Sequence, residues 1–161
     1  MKKITQISGK ALALSALTLV MSGPLYADEP VSLTEGVTIN VAGTADAVPS
    51  SCTGTGPYSC PTLRDAIVFA NENANSTEYD IINLGAGTYT LTIAGTNEDA
   101  AVDGDLDITE AVNIVGAGSD TTIIDGGGSG GTLQERIFTI NGVVVEISDL
   151  TLTNGFAKSA A

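Results

Sequence analysis

Between Gly104 and Gly155 the apolar and polar positions spell the same short text twice. The first pass is Leu106-Asp107-Ile108-Thr109, then Val112-Asn113-Ile114-Val115-Gly116, then Thr122-Ile123-Ile124-Asp125-Gly126. The second is Ile137-Phe138-Thr139-Ile140-Asn141, then Val145-Glu146-Ile147, then Thr151-Leu152-Thr153-Asn154-Gly155. Ile108 maps onto Ile140 at a spacing of 32, Ile114 onto Ile147 at 33 and Gly126 onto Gly155 at 29. Each pass holds three short alternating stretches separated by turn residues, which is strand texture. A repeat of this length marks a stacked architecture. Three strands per repeat predict one coil of a parallel β-helix, each strand pairing with its counterpart one coil on. Asp125 and Asn154 are then expected at the same corner, where Asx and glycine tolerate left-handed backbone.

One signal competes. Asn141-Gly142 between two apolar triplets is a two-residue hairpin signature. A hairpin there would make the domain an antiparallel sandwich. The repetition decides against it, because a sandwich has no reason to write Ile-Asp-Gly and then Thr-Asn-Gly at the same place in successive passes.

Upstream, Val31 to Val41 predicts a first strand, with Val37, Ile39 and Val41 alternating against Thr38 and Asn40. Ala42 to Ser59 reads as a loop. Thr62 to Asn75 is the one convincing helix: Thr62 can N-cap it and Asp65 can complete a capping box. Leu63, Ala66, Ile67, Ala70 and Ala74 form a narrow apolar stripe, with Arg64, Asp65, Glu72 and Asn73 on the remaining surface. Such a stripe suits a helix laid over the end of a core. Asp80 to Leu84 and Thr88 to Ile93 are further strands, with Tyr89, Leu91 and Ile93 on one core-facing side, and Thr96 to Gly104 is an acidic loop.

Composition changes the picture in three respects. Residues 1–27 combine a basic start (Lys2, Lys3, Lys10), an apolar run from Ala11 to Met21 too short to span a bilayer, and Ala27 before Asp28. That is a secretory signal, expected to be cut after Ala27. It leaves residues 28–161 as one exported domain: 37–60 the first strand and its loop, 62–75 the helix, 80–155 the coils. The formal charge is −13, and removal of the signal leaves Arg64, Arg136 and Lys158 against all 19 acidic residues. This argues against nucleic acid or an anionic membrane as a partner, and against membrane insertion of the mature chain. Finally, Cys52 and Cys60 in an oxidising compartment are expected to pair as a disulfide around Gly54, Gly56 and Pro57. The chain has no histidine to complete a metal site with them.

Cys60-Pro61-Thr62-Leu63-Arg64-Asp65-Ala66-Ile67, followed by Ala70-Asn71, resembles the CSLREA motif (Cys-Ser-Leu-Arg-Glu-Ala-Ile, then Ala-Asn) that begins many exported bacterial proteins. The blocks that follow agree in order: Asp80-Ile81-Ile82, Gly87-Thr88-Tyr89-Thr90-Leu91, Gly104 to Thr109, Ile114 to Gly118 and Thr122 to Gly126. The departures are Pro61-Thr62 for serine and Asp65 for glutamate; both keep a helix N-terminus. The resemblance implies an all-β pectin-lyase-like fold, a right-handed parallel β-helix of about two to three coils, with residues 62–75 as an N-terminal capping α-helix. It implies localisation outside the cytoplasm: secreted, on the cell surface or in the periplasm of a bacterium. Relatives continue for more coils, so the chain is expected to be truncated at its C-terminus, with further coils or self-association covering the open end.

The resemblance also requires weighing chemistry. A lyase wants Ca²⁺-binding acids and a base, and a glycosidase wants paired carboxylates. The best candidates are Asp103, Asp105 and Asp107, which could hold Ca²⁺. The bland reading is favoured: Leu106 and Ile108 point inward, so Asp105 and Asp107 form a solvated outer edge, and Ca²⁺ wants at least about six oxygens. No cofactor is required. Asn113, Asn141 and Asn154 read as turn and ladder residues. The expected function is therefore a non-catalytic structural module: the cap and first coils of an adhesin-like protein with a carbohydrate or cell-surface ligand. The alternatives are a carbohydrate-active enzyme and a small self-contained binding module.

Overall fold

The computed structural model describes residues 32–73, 77–95, 98–128 and 136–156, and these lie in one compact unit, Val31–Ala161. Residues 1–27, expected from sequence to be a secretory signal, and Ala74, Asn75, Lys158 and most of the Gly126 to Glu135 loop lie outside the described residues. The order is β1 (Thr34–Val41), β2 (Tyr58–Cys60), α1 (Leu63–Glu72), β3 (Glu78–Leu84), β4 (Gly87–Thr90), β5 (Leu106–Ile108), β6 (Val112–Val115), β7 (Thr122–Asp125), β8 (Phe138–Ile140), β9 (Val145–Ser148) and β10 (Thr151–Thr153).

The strands form three sheets, ordered β2-β1-β3-β6-β9, β10-β7-β4 and β5-β8. Every ladder between named strands is parallel. Parallel partners cannot be joined by a tight turn, so each strand pairs with one a crossover away. From β3 onward, strands adjacent in sequence fall in different sheets, and each pairs with a strand three further on: β8 on β5, β9 on β6 and β10 on β7. Asn141-Gly142 accordingly turns the chain from one sheet to another and makes no hairpin, with Gly142 at φ 75°.

Parallel registry stacks like upon like. Ile39, Ile82, Ile114 and Ile147 are successive partners across β1, β3, β6 and β9. Tyr89, Ile124 and Leu152 stack across β4, β7 and β10, while Leu106 meets Phe138 and Ile108 meets Ile140. The period-2 alternation turns these side chains to one face of each strand. Ile39, Ile82, Ile114, Ile124, Leu106 and Ile108 are fully buried. Each such side chain contributes about 1.5–3 kcal/mol of transfer free energy. Burial falls off in the last rung, where Ile140 is 47% and Leu152 44% exposed.

Two of the three spacings read from the repeat are the observed registers, Ile108 with Ile140 and Ile114 with Ile147. The third slips by one: Asp125 pairs with Thr153, so the spacing is 28, not 29. Asn154 does adopt the left-handed backbone at φ 55°, but in this register it falls opposite Gly126, whereas the left-handed residues of the first pass are the next two, Gly127 at φ 74° and Gly128 at φ 59°. Asp125 stays in the strand and accepts from the Asn154 amide at 2.9 Å and from the Gly127 N–H at 2.9 Å.

The first strand carries a bulge between Glu35 and Thr38. The freed Val37 N–H donates to the buried Asp80 carboxylate at 2.9 Å. A side chain at Gly36 could not coexist with it, since a Cβ there would come within 2.5 Å of Asp80 Oδ1. The short strand β2, read from sequence as loop, pairs with β1 because Cys60 is bonded to Cys52 and buried, which holds the segment against the sheet. By loop entropy such a bridge contributes roughly 2–3 kcal/mol.

Helix α1 begins as expected. The Thr62 side chain accepts from the Asp65 N–H at 3.1 Å, and Asp65 Oδ2 accepts from the Thr62 N–H at 2.9 Å. Leu63, Ala66, Ile67 and Ala70 are all buried in the core, and the helix packs on β1, β2, β3 and β5.

Candidate functional site

Two neighbouring places concentrate charged chemistry: the Arg64 side chain in the first turn of α1, and the acidic segment Glu98 to Asp107. Sequence periodicity placed Arg64 and Asp65 off the apolar stripe of the helix. Both are nonetheless buried, Arg64 completely. The reason is that the loops on either side of α1 close over its polar face. Asp65 is reached by Ser50, whose N–H and hydroxyl both donate to Oδ1, the latter at 3.1 Å.

Arg64 is fully engaged. Its Nε lies 2.7 Å from Asp46 Oδ1 and its Nη2 3.2 Å from Asp46 Oδ2, a two-pronged pair. Nη1 donates to the Ala101 carbonyl at 3.1 Å and Nη2 to the Gly104 carbonyl at 2.9 Å. Asp46 in turn accepts from the Thr92 and Ile93 N–H groups at 2.7 and 3.0 Å. Burial alone would raise the Asp46 pKa, but the Arg64 hydrogen bond, the two backbone donors and the guanidinium charge outweigh it and hold the group below its ordinary value. One guanidinium thus ties the 42–57 loop, the helix and the 91–104 segment together. Nothing in the 42–57 text marks Asp46 as its partner.

Asn71 performs a related task at the helix's other end. Its Nδ2 donates to the Asp107 carbonyl at 2.8 Å and its Oδ1 accepts from the Thr109 N–H at 3.0 Å. The amide stands in for a neighbouring strand at the free edge of β5, which otherwise would present unpaired backbone.

The acidic edge is not the solvated face expected from sequence. Asp105 is 8% and Asp107 only 2% exposed, because α1 and the 98–104 segment cover β5. Asp105 is engaged by Thr139, whose hydroxyl donates to Oδ2, and by the exposed Arg136, whose Nε is 3.4 Å from the same oxygen. Asp107 Oδ2 is buried and has no hydrogen-bond partner. Asp103 lies against Gly95 instead: a Cβ built on Gly95 would collide with the Asp103 carboxylate. Among the described residues, no three histidine, cysteine or acidic side chains converge as a metal-ion site would require. The three aspartates singled out for Ca²⁺ are therefore not gathered around one point.

Burial, first, and then the charge of Asp105 push the Asp107 pKa up to about 6; Glu98 and Asp99 add to the effect, and a hydrogen bond from the Ala101 backbone opposes it. The cationic groups nearby are already committed, Arg64 to Asp46 and two carbonyls, Arg136 to Asp105. The sign follows from linkage. The folded chain holds this proton more tightly than the unfolded one, whose pKa is near 3.8. Stability contributed by protonated Asp107 is complete below pH 4 and is lost as pH rises through about 6. Asp107→Asn is expected to stabilise the protein at pH 7 by up to about 3 kcal/mol, with the difference shrinking towards zero near pH 4. Urea midpoints of both proteins across pH 4 to 7 check this; a constant difference would contradict it.

Tyr89 belongs to the core, as its strand face required: it is buried, and its hydroxyl donates to the Gly85 carbonyl at 3.1 Å. Among the described residues no helix is long and apolar enough to cross a membrane. No known protein family, curated protein or solved structure matches this chain.

Proposed function

We propose that this chain is the N-terminal cap and first coils of an exported right-handed parallel β-helix of the CSLREA kind, a non-catalytic structural module of a secreted or surface, adhesin-like protein. The observation that carries the reading is the stacking of identical positions in parallel registry, above all Ile39, Ile82, Ile114 and Ile147, with the helix residues Leu63, Ala66, Ile67 and Ala70 buried in the same core. Each of the three sheets then corresponds to one side of a coil. The motif residues acquire physical roles on this reading. Cys60 is bonded to Cys52, Leu63 and Ala66 plug the core, Arg64 clamps two loops to the helix, and Asn71 covers a strand edge. Their job is to close a β-helix end, and none is left free to act on a substrate.

Asp105 and Asp107, the best carboxylate pair for glycoside or uronate chemistry, are buried and lend no support to an enzyme. The test is to express the whole chain in a bacterium with an export pathway and measure the intact mass of the exported product, then assay it on polygalacturonate with and without a chelator. The expected result is a product beginning at Asp28, two hydrogens lighter than its reduced form, with no release of uronate. Retention of the full-length chain in the cytoplasm would overturn export, and chelator-sensitive uronate release would overturn the non-catalytic reading.

A further inference from the structure

On the outer face of the largest sheet, at its β3-β6-β9 side, lies a cavity of about 300 Å³. It is lined by Leu33, Tyr79, Val112, Asn113, Val144 and Glu146. Registry explains why these residues meet. Asn113 and Glu146 are direct partners on β6 and β9. Ile81 is the partner of Asn113 on β3, so Tyr79, two residues before it, shares the outward face one step along the strand.

The chemistry of this lining is one-sided. Asn113 Oδ1 is buried without a hydrogen-bond partner, one of only two such side-chain atoms among the described residues. An acceptor sealed away from water and left unpaired costs about 1–3 kcal/mol, so a donor is wanted there. Glu146 is exposed beside it and makes no ion pair among the described residues. Tyr79 adds an aromatic ring, which attracts cations over its face. Leu33, Val112 and Val144, the last 67% exposed, supply apolar surface for an alkyl stem. A carbonyl oxygen, a carboxylate and an aromatic ring around a small apolar cleft fit a group that is cationic, rich in N–H donors and carried on a short hydrocarbon chain. An anionic group would meet Glu146 and a chain of formal charge −13.

We propose that this cleft binds a primary alkylammonium group, its –NH₃⁺ donating to Glu146 and, as the side chains that cover it move aside, to Asn113 Oδ1, with its stem along Val144 and Leu33. The shared chemistry belongs both to a free amine and to a lysine side chain, and the experiment separates them. The oxidised protein is titrated at low salt with n-butylammonium, with Nα-acetyl-lysine N-methylamide and with butyrate, following the amide and side-chain NMR signals of Asn113, Glu146 and Tyr79. The expected result is saturable movement of these signals with n-butylammonium, weakened at least about tenfold by Glu146→Gln and by raised salt. Glu146 is exposed, so the variant should keep the wild-type fold, which an unchanged thermal midpoint confirms. Binding of the lysine derivative as well assigns the site to lysine side chains; binding of n-butylammonium alone assigns it to free amines. The proposal is overturned if neither cation moves these signals, if Glu146→Gln binds as wild type does, or if butyrate binds in their place.

Discussion

Arg64→Met is expected to destabilise the protein by about 3–5 kcal/mol, because it strips one partner from a buried ion pair and leaves the other. The methionine can fill much of the space, but Asp46 keeps its charge in an enclosed setting, and the Ala101 and Gly104 carbonyls lose their donors. The Thr92 and Ile93 N–H groups still reach Asp46, so the carboxylate is not wholly stranded. The loss should therefore be partly repaired in the double variant Asp46→Asn with Arg64→Met, which removes the orphaned charge while keeping an acceptor for those two donors. A recovery of at least about 1 kcal/mol over Arg64→Met alone is expected from urea unfolding. Arg64→Lys should fall between wild type and Arg64→Met, since an ammonium cannot serve four oxygens in one fork. A loss below about 1 kcal/mol for Arg64→Met would mean that the guanidinium is solvated and that the docking of α1 does not depend on it.

The second large effect lies in the aliphatic column. Ile114 is fully buried between Ile82 and Ile147, so Ile114→Ala removes methyl groups and leaves a cavity that stacked strands on both sides cannot collapse into. The expected cost is about 2–5 kcal/mol. Leu152→Ala deletes a similar volume from the end of a second column, where the side chain is 44% exposed. Its expected cost is below about 1 kcal/mol, because little of that surface leaves water on folding. Equal losses at the two sites would contradict a core that is fully packed at Ile114 and exposed at Leu152.

Much of this arrangement could be read from the residues alone, and the reason is physical. Parallel stacking repeats the same environment at each step, so it writes itself into the text as a repeat, and the spacings for Ile140 and Ile147 came out correctly. The corner after Asp125 did not, because Gly127 and Asn154 share a backbone conformation without sharing a place in the aligned words. The capping box was legible for the same local reason: it involves residues only three apart. The buried ion pair was not. Helical periodicity assigns faces but cannot tell which loop will fold over the polar one, and Asp46 sits 18 residues from Arg64 in a segment without pattern. The same blindness misjudged Asp105 and Asp107. Their outward direction was right, but α1 and the 98–104 segment cover that face, which turned an expected solvated edge into buried carboxylates.

The most direct test of the stacked parallel architecture is a map of interstrand proton contacts by NMR on the oxidised protein. Parallel registry between β6 and β9 should give amide-to-Hα contacts linking Asn113 with Glu146 and Ile114 with Ile147, and the same pattern should link Ile108 with Ile140. Strong Hα-to-Hα contacts joining Phe138–Ile140 directly to Val143–Val145 across Asn141-Gly142 would instead establish an antiparallel hairpin, and with it a sandwich in place of stacked parallel strands.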